Sequence, residues 1–264
     1  MLVWFLAFNL LLIAGLMTLL WVFSLAARDA SIVDPVWGMA FVVIAWSSFI
    51  RHPQPGPGVA DPSPVIVALV TIWGVRLSSY LALRNLGKGE DFRYVRMRER
   101  FGPRFPIISL FVVFLLQALL AWVVSLPVQV AQFTYGGAQP FGGPLLVAGA
   151  LLWAIGLVFE TVGDLQLTRF KRDPANKGKV MDRGLWRYTR HPNYFGDFCV
   201  WWGLFLIAAS TGAWWTVIGP IVMSILLIRV SGAGLLERTI VHRRPGYAEY
   251  IRRTSGFFPR PPRR

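Results

Sequence analysis

The feature that most constrains this chain is its first apolar run, Leu2–Ala27, which contains no charged residue. About 20 apolar residues are enough to cross the hydrocarbon core of a bilayer as an α-helix. Six more apolar stretches follow, and only 15% of all residues are charged, against roughly 25% in an ordinary soluble domain. We therefore expect an integral membrane protein. No basic segment precedes the first run, so we expect a retained helix and not a cleaved signal.

Seven predicted spans account for these stretches. They cover residues 2–27, 35–50, 65–83, 105–130, 144–159, 194–209 and 213–228. Several are nearer 16 than 20 residues long, so polar residues that face protein or a water-filled cavity must complete them. The fold class that we expect is all-α, a polytopic seven-helix bundle forming a single domain over residues 1–264.

The basic residues predict the orientation of this bundle. Of 27 Lys and Arg residues, 24 lie in the segments 84–104, 164–190 and 229–264, whereas the loops at 127–141 and 210–213 carry none. The positive-inside rule places the three basic segments in the cytoplasm. Seven spans then put the N-terminus outside and the C-terminus inside. A soluble protein with a net charge of +14 would suggest nucleic acid, but here the charge lies between apolar runs, so we expect no nucleic acid partner.

The counts of cysteine and histidine argue against two classes of site. Cys199 is the single cysteine, so an intrachain disulfide framework and a multi-cysteine metal site are excluded. The three histidines lie far apart in sequence, and we expect no metal.

Polar residues at the second and third spans are the first functional candidates. Asp34 starts the second span, where it acts either as a helix cap or as an acid that donates a proton or a hydrogen bond. Trp73, Arg76, Tyr80 and Arg84 are spaced to share one helical face. Arg76 is either a snorkelling side chain beside a packing tyrosine or a functional intramembrane cation.

The fifth and sixth spans carry the richest polar sequence. Glu160, Asp164, Thr168 and Lys171 form a polar stripe, which predicts that this helix extends past the membrane. The segment 184–197 then places cationic, amide, phenol and carboxyl groups at the start of the sixth span. These residues are Arg187, Tyr188, Arg190, His191, Asn193, Tyr194 and Asp197. Arg and His suit phosphate oxygens, and Asn and Asp suit ribose hydroxyls or a carboxamide.

The string from Arg190 to Asp197, with Glu160 and Asp164 upstream and a tail from Glu237 to Pro259, resembles the steroid 5α-reductase superfamily. The similarity is greatest to its bacterial membrane branch, which Asp34-Pro35-x-Trp37 and Glu90-Asp91-x-Arg93-Tyr94 also fit. The resemblance implies NADPH on the cytosolic side, bound by Arg76, Arg84, Asp164, Lys171, Arg187, Tyr188, Arg190, His191, Asn193, Tyr194, Asp197 and Glu237. It also implies Asp34 as the catalytic acid with Tyr80 as a helper, and a lipid substrate lined by Trp37 and Trp73.

The expected reaction is the NADPH-dependent reduction of the C4=C5 double bond of a 3-oxo-4-ene steroid or a similar enone lipid. Hydride goes to the β carbon, and an acid polarises the ketone. The substrate enters from the lipid, and the active site opens to the cytoplasm of a bacterial inner membrane. Three alternatives stay open: a sterol C14-type reductase, an S-adenosylmethionine-dependent isoprenylcysteine-type methyltransferase, and a lipid-binding membrane protein without chemistry.

Overall fold

The computed structural model describes residues 1–53, 61–85, 87–134, 143–230 and 246–263. Within these ranges the regular secondary structure is helical, which confirms the all-α prediction. The chain divides into two compact units, residues 1–143 with 208–218 and residues 144–207 with 219–264. The prediction of one functional domain over the whole chain stays a prediction.

Unit 1 contains the first seven helices. They are α1 Leu2–Ala27, α2 Val33–Arg51, α3 Ser63–Asn85, α4 Phe92–Phe101, α5 Phe105–Ser109, α6 Leu116–Val124 and α7 Leu126–Ala131. A π-helical turn, Leu110–Leu115, joins α5 to α6. Segment 84–104 is predicted to be a loop, but α4 forms about half of it, with the Asp91 carboxylate capping the helix start.

The α2–α3 pair forms the core of unit 1. A Cβ atom added to Gly38 would lie 2.5 Å from the carbonyl oxygen of Gly74, so only glycine allows the two backbones to come this close. The Trp73 indole is fully buried between these helices, with its ring centroid 5.5 Å from that of Phe41 in an edge-on contact. The start of α2 is therefore held firmly against α3.

The predicted span 105–130 is helical but not continuous. The helix is interrupted at Ser125, where ψ is 4°, and α7 begins at the next residue. Pro127 explains the break, because its ring removes a backbone donor and clashes with the preceding turn of a straight helix.

Unit 2 is built on two long helices. Its described helices are α8 Pro144–Arg172, α9 Pro192–Ala209, α10 Ile218–Ile225 and α11 Tyr247–Arg253. Unit 2 contains α9 up to Ile207 and α10 from Gly219 onward. The expected extension of the fifth helix past residue 159 is confirmed, since α8 runs on to Arg172.

Among the described residues, five helical segments are long and apolar enough to cross a membrane, which makes the chain a multi-pass integral membrane protein. They are Leu2–Ala27, Ala30–Arg51, Ser63–Asn85, Phe92–Val124 and Pro144–Arg172. The other two predicted spans, 194–209 and 213–228, fall on helical segments that are shorter or less apolar than these five. Trp214–Arg229 is shorter, and α9 is lowered in hydropathy by the polar residues of its first turns.

Candidate functional site

Two polar clusters, one in each unit, contain five of the sixteen predicted site residues. The first, the α8–α9 cluster, consists of Glu160, Asp164, His191, Asn193 and Asp197. It exists because α8 and α9 pack backbone to backbone: a Cβ atom on Gly196 would lie 2.5 Å from the backbone nitrogen of Glu160. Gly196 therefore allows the acidic end of α8 to lie against the first turns of α9.

The carboxyl groups of the α8–α9 cluster are deeply buried. Glu160 and Asp164 are only 3% and 4% exposed, and Asp197 is 9% exposed. Acidic side chains are almost never buried to this extent unless partners satisfy them. One such partner is Asn193, whose Nδ2 donates to the Asp164 carboxylate at 3.1 Å. Burial of three acids where α8 meets α9 is not what a solvated helix end would show, and it makes this cluster the candidate site of unit 2.

The Asn193 amide has a fixed orientation and one open acceptor. With Nδ2 engaged by Asp164, its Oδ1 atom is buried and receives no hydrogen bond from any residue in the described ranges. A buried carbonyl oxygen without a donor is costly, so a ligand or water N–H or O–H is the natural partner. The His191 and Tyr194 rings stack beside it, with centroids 5.5 Å apart and planes 9° apart.

Arg190 makes contacts with the C-terminal tail that the sequence does not predict. Its Nη1 donates to the backbone carbonyls of Ile251 at 3.1 Å and Thr254 at 2.7 Å, and its backbone N–H donates to Ser255 at 2.9 Å. These carbonyls belong to the last turn of α11 and the residues after it. The guanidinium therefore fixes the C-terminal tail against the segment that precedes α9, and its phosphate contact stays a prediction.

The other residues of unit 2 that are predicted to bind the cofactor are exposed at the surface or lie outside the described residues. Lys171, Arg187 and Tyr188 are exposed, and Tyr188 retains 44% of its accessible surface. Glu237 lies outside the described residues. The exposed side chains of Lys171 and Arg187 carry positive charge that suits an anionic ligand.

The second cluster, the Asp34 cluster, comprises Asp34, Asp91, Arg93 and Tyr94 in unit 1. Arg93 Nη2 donates to Asp34 Oδ2 at 2.5 Å, and the Tyr94 hydroxyl donates to Asp34 Oδ1 at 2.8 Å. The capping alternative is wrong, because α2 begins at Val33, one residue before Asp34. In both contacts the Asp34 side chain is the acceptor, and Arg93 and Tyr94 are the donors.

Asp91 completes the Asp34 cluster from the other side of Arg93. Its Oδ1 accepts from the backbone N–H of Arg93 at 3.0 Å and from Arg93 Nε at 2.9 Å. Burial alone would raise the pKa of the Asp91 carboxyl, but the hydrogen bonds and charge of Arg93, with the charge of Arg84, outweigh it and lower that pKa. The Arg93 guanidinium is thus fixed between two carboxylates.

The predicted face of α3 is only partly a site. Tyr80 lies between two cations, with Arg76 Cζ 5.5 Å and Arg84 Cζ 5.9 Å from its ring centroid, as the helical spacing predicts. Trp73 is fully buried, so a ligand could contact its indole only if α2 and α3 moved apart. Trp37 is half-buried and packs edge-on against Phe41 at 5.1 Å.

Sequence reasoning missed Arg93 and Tyr94 as the partners of Asp34. The signal was available in the string Glu90-Asp91-x-Arg93-Tyr94, but 59 residues separate Asp34 from Arg93, and spacing alone does not pair them. Within the described ranges, no group of three or more His, Cys, Asp or Glu side chains is placed to hold a metal ion.

A third polar cluster, also unforeseen, lies at the opposite end of α2. Fully buried Asn9 donates through Nδ2 to Ser48 Oγ and Gln129 Oε1, both at 2.9 Å, and accepts from Ser47 and Arg51 through Oδ1. The Asn9 amide therefore ties α1, α2 and α7 together inside the apolar part of unit 1.

A family model that describes proteins of unknown function, DUF1295, matches residues 20–254. The chain belongs to the DUF1295 family. The match includes both the Asp34 cluster and the α8–α9 cluster, so both lie in the part of the chain that defines the family.

Two curated relatives of this DUF1295 chain differ in what their names say. An uncharacterized protein of Schizosaccharomyces pombe is 26% identical over 278 residues, covering 96% of this chain and 79% of that protein. A protein of Ustilaginoidea virens named "Probable O-methyltransferase ustE" is 40% identical over 65 residues, covering 25% of this chain and 22% of its own length. No solved structure matches the chain.

Proposed function

We propose that this protein is an NADPH-dependent membrane reductase that holds its cofactor at the α8–α9 cluster and reduces an enone in a lipid-soluble substrate. The observation that carries the proposal is the Asn193 amide. Asp164 fixes its orientation, and its buried Oδ1 has no donor among the described residues. An acceptor with this orientation and burial fits a ligand that presents N–H or O–H groups, such as a carboxamide or a ribose.

The chemistry of the cluster fits the two parts of such a cofactor. Buried carboxylates at Asp164 and Asp197 accept hydrogen bonds from hydroxyl and amide groups. The exposed cations Lys171 and Arg187 suit phosphate groups, and a 2′-phosphate would make use of this surplus of positive charge. Bound NADPH would supply the hydride for the β carbon of the enone.

The Asp34 cluster supplies the donors for the other half of the reaction. As hydride is added to the β carbon, the C=C bond electrons move to form an enolate, and fixed hydrogen-bond donors stabilise the negative charge on the substrate's carbonyl oxygen. The α carbon of the enolate then takes a proton from solvent, which completes the reduction. In the cluster, Asp34 is the acceptor, whereas Tyr94 carries a hydroxyl proton and Arg93 carries further N–H groups. We infer that the Tyr94 hydroxyl, which donates its single proton to Asp34 in this structure, turns to the ketone when the substrate binds, and that Arg93 donates through its other N–H groups. Asp34 acts by orienting both residues, and Tyr80 is a second candidate donor.

Methyl transfer is the second candidate function. It is favoured by the partial similarity to the protein named "Probable O-methyltransferase ustE". Buried acceptors would also suit the amino group and ribose of S-adenosylmethionine, so the residue types of the α8–α9 cluster do not by themselves separate the two cofactors.

Cofactor binding to the purified full-length chain tests the proposal. We expect NADPH to bind at least tenfold more tightly than NADH, and S-adenosylmethionine not to compete. Asn193→Ala should weaken NADPH binding roughly 10- to 100-fold, since hydrogen bonds that involve charged partners contribute about 1.5–3 kcal/mol. Asn176→Ala, which alters an asparagine of the same unit outside the cluster, should leave binding unchanged. Preference for S-adenosylmethionine would replace reduction by methyl transfer.

The finer topology is part of the same proposal. We propose seven spans in a bacterial inner membrane, with the N-terminus outside, the C-terminus inside and the α8–α9 cluster opening to the cytoplasm. The three basic segments and the polar start of α9 support it. The proposed partners are the lipid-soluble enone and the surrounding membrane lipids.

A further inference from the structure

The short helix α4 has one face bound to unit 1 and one face exposed. Its inner residues are anchored by Arg93 and Tyr94 at Asp34 and by Arg98, which donates to Glu90 at 2.8 and 3.1 Å. The exposed residues follow helical spacing and form one arc of about 140°, at 100° per residue. They are Phe92, Val95, Arg96, Glu99 and Arg100.

Internal pairing uses most of the acidic residues in this part of the chain. Segment 84–104 contains seven basic residues and three acidic ones. Glu90 is bound by Arg98 and by the backbone N–H of Ala30 at 2.8 Å, and Asp91 is bound by Arg93. Glu99 is the one acid left on the outer face.

The remaining cations are exposed and form no ion pair within the described ranges. They are Arg84, Lys88, Arg96, Arg100 and Arg104. Three of them lie over aromatic rings: Arg84 Cζ is 5.9 Å from the Tyr80 ring centroid, Arg96 Cζ is 5.3 Å from that of Phe92, and Arg100 Cζ is 5.4 Å from that of Phe101. These contacts orient guanidinium groups beside apolar surface without neutralising them.

The chain connects this cationic face directly to a membrane-crossing segment. Gly102, with φ of +51°, ends α4 and allows the chain to turn. Phe105 then begins the apolar stretch that runs to Val124. Since four arginines in ten residues are too costly for the hydrocarbon core, α4 lies at the membrane surface, where exposed Phe92 and Val95 can insert between lipids.

We propose that the exposed face of α4, together with Arg104, is a docking surface for acidic phospholipids. The guanidinium groups of Arg96, Arg100 and Arg104 bind headgroup phosphates, and Phe92 and Val95 contact the acyl boundary. The surface is prebuilt, because the Arg93 and Arg98 ion pairs fix which face of α4 points outward. This surface is independent of the proposed reductase activity.

Native mass spectrometry of the full-length protein in detergent tests this surface, with equimolar phosphatidylglycerol and phosphatidylcholine added. We expect the parent to retain phosphatidylglycerol preferentially and to lose it as ionic strength rises. The R96Q/R100Q/R104Q variant should retain about 10²-fold less, since each arginine near an anionic surface contributes about 1 kcal/mol, or about fivefold. The control R183Q/R252Q/R260Q removes three exposed arginines elsewhere and should bind like the parent.

Three results would overturn the proposal. Equal retention of the two lipids by the parent would show that the surface has no headgroup preference. An equal loss in the control variant would show that total charge, and not α4, attracts the lipid. Competition by inorganic phosphate at low millimolar concentration would assign the arginines to a free anion. Unfolding temperatures of both variants in detergent check that the α4 anchors remain intact.

Discussion

At the scale of single residues, Tyr94 and Asp34 can be separated by their effects on turnover. Tyr94→Phe removes the hydroxyl that we propose as a donor to the ketone, and loss of one such donor typically lowers the rate by roughly 10²–10³. We expect NADPH affinity to be unchanged and the reduction of a 3-oxo-4-ene steroid to slow by about 10²-fold. Tyr247→Phe, a buried tyrosine outside both clusters, is the matched control.

The double variant distinguishes the two roles of Asp34. If Asp34 acts by holding its two donors, then Asp34→Asn combined with Tyr94→Phe should slow the reaction by less than the product of the two single effects, because both changes remove the Asp34–Tyr94 hydrogen bond. If Asp34 donates a proton itself, as the resemblance implies, the effects of the two changes on the rate should multiply. Steady-state rates at saturating NADPH measure the difference.

The ion pair of Asp91 accounts for part of the loss of folding stability that we expect at low pH. Its pKa is lowered in the folded protein, so its ion pair stabilises the fold above the unfolded value and loses that contribution as the pH falls below about 4. Asp91→Asn should therefore lower stability at neutral pH and flatten its decline between about pH 5 and 2. Chemical denaturation in detergent across that range measures this, and an unchanged slope would contradict the assignment.

At the scale of helices, the Asn9 amide predicts a large cost for a small change. Asn9→Leu removes the hydrogen bonds that the Asn9 amide makes with Ser48, Gln129 and Arg51 inside unit 1. Each buried polar group left without a partner lowers the free energy of unfolding by about 1–3 kcal/mol. We expect the unfolding temperature in detergent to fall by several degrees. Thr18→Val, whose hydroxyl bonds only to its own helix, should have little effect. Similar effects of the two changes would show that the amide does not tie the helices together.

The helices themselves could be predicted from sequence, because apolar runs and polar breaks determine where a helix can cross a membrane. Residues 35–50 and 65–83 fall inside α2 and α3, and the polar stripe after Glu160 predicts the length of α8. The partners of buried polar groups could not be predicted in the same way. Asn9 and Gln129 are 120 residues apart, and neither spacing nor charge links them.

In the candidate site, too, the local clustering of residues could be predicted from sequence, whereas partners distant in sequence could not. The α8–α9 residues are close together in sequence or on facing helices, so their clustering follows from local pattern. The partners of Arg190 could not be predicted from the local sequence pattern. Its side chain is a good phosphate ligand by type, but the tail carbonyls that bind it come from residues more than 60 positions away. A residue type predicts what a side chain can bind, whereas the fold determines which partner lies within bonding distance of it.

At the scale of the whole molecule, cysteine labelling decides between five and seven spans. The single cysteine, Cys199, is buried and can be replaced by alanine to give a clean background. Seven spans with the N-terminus outside place Thr211→Cys outside the cell and Lys177→Cys inside. We expect a membrane-impermeant maleimide to label only Thr211→Cys in intact cells, and both variants after permeabilisation. If α9 and Trp214–Arg229 do not cross, both positions would be inside and neither would react in intact cells. Labelling of Lys177→Cys alone would mean that the basic segments lie outside, against the positive-inside rule.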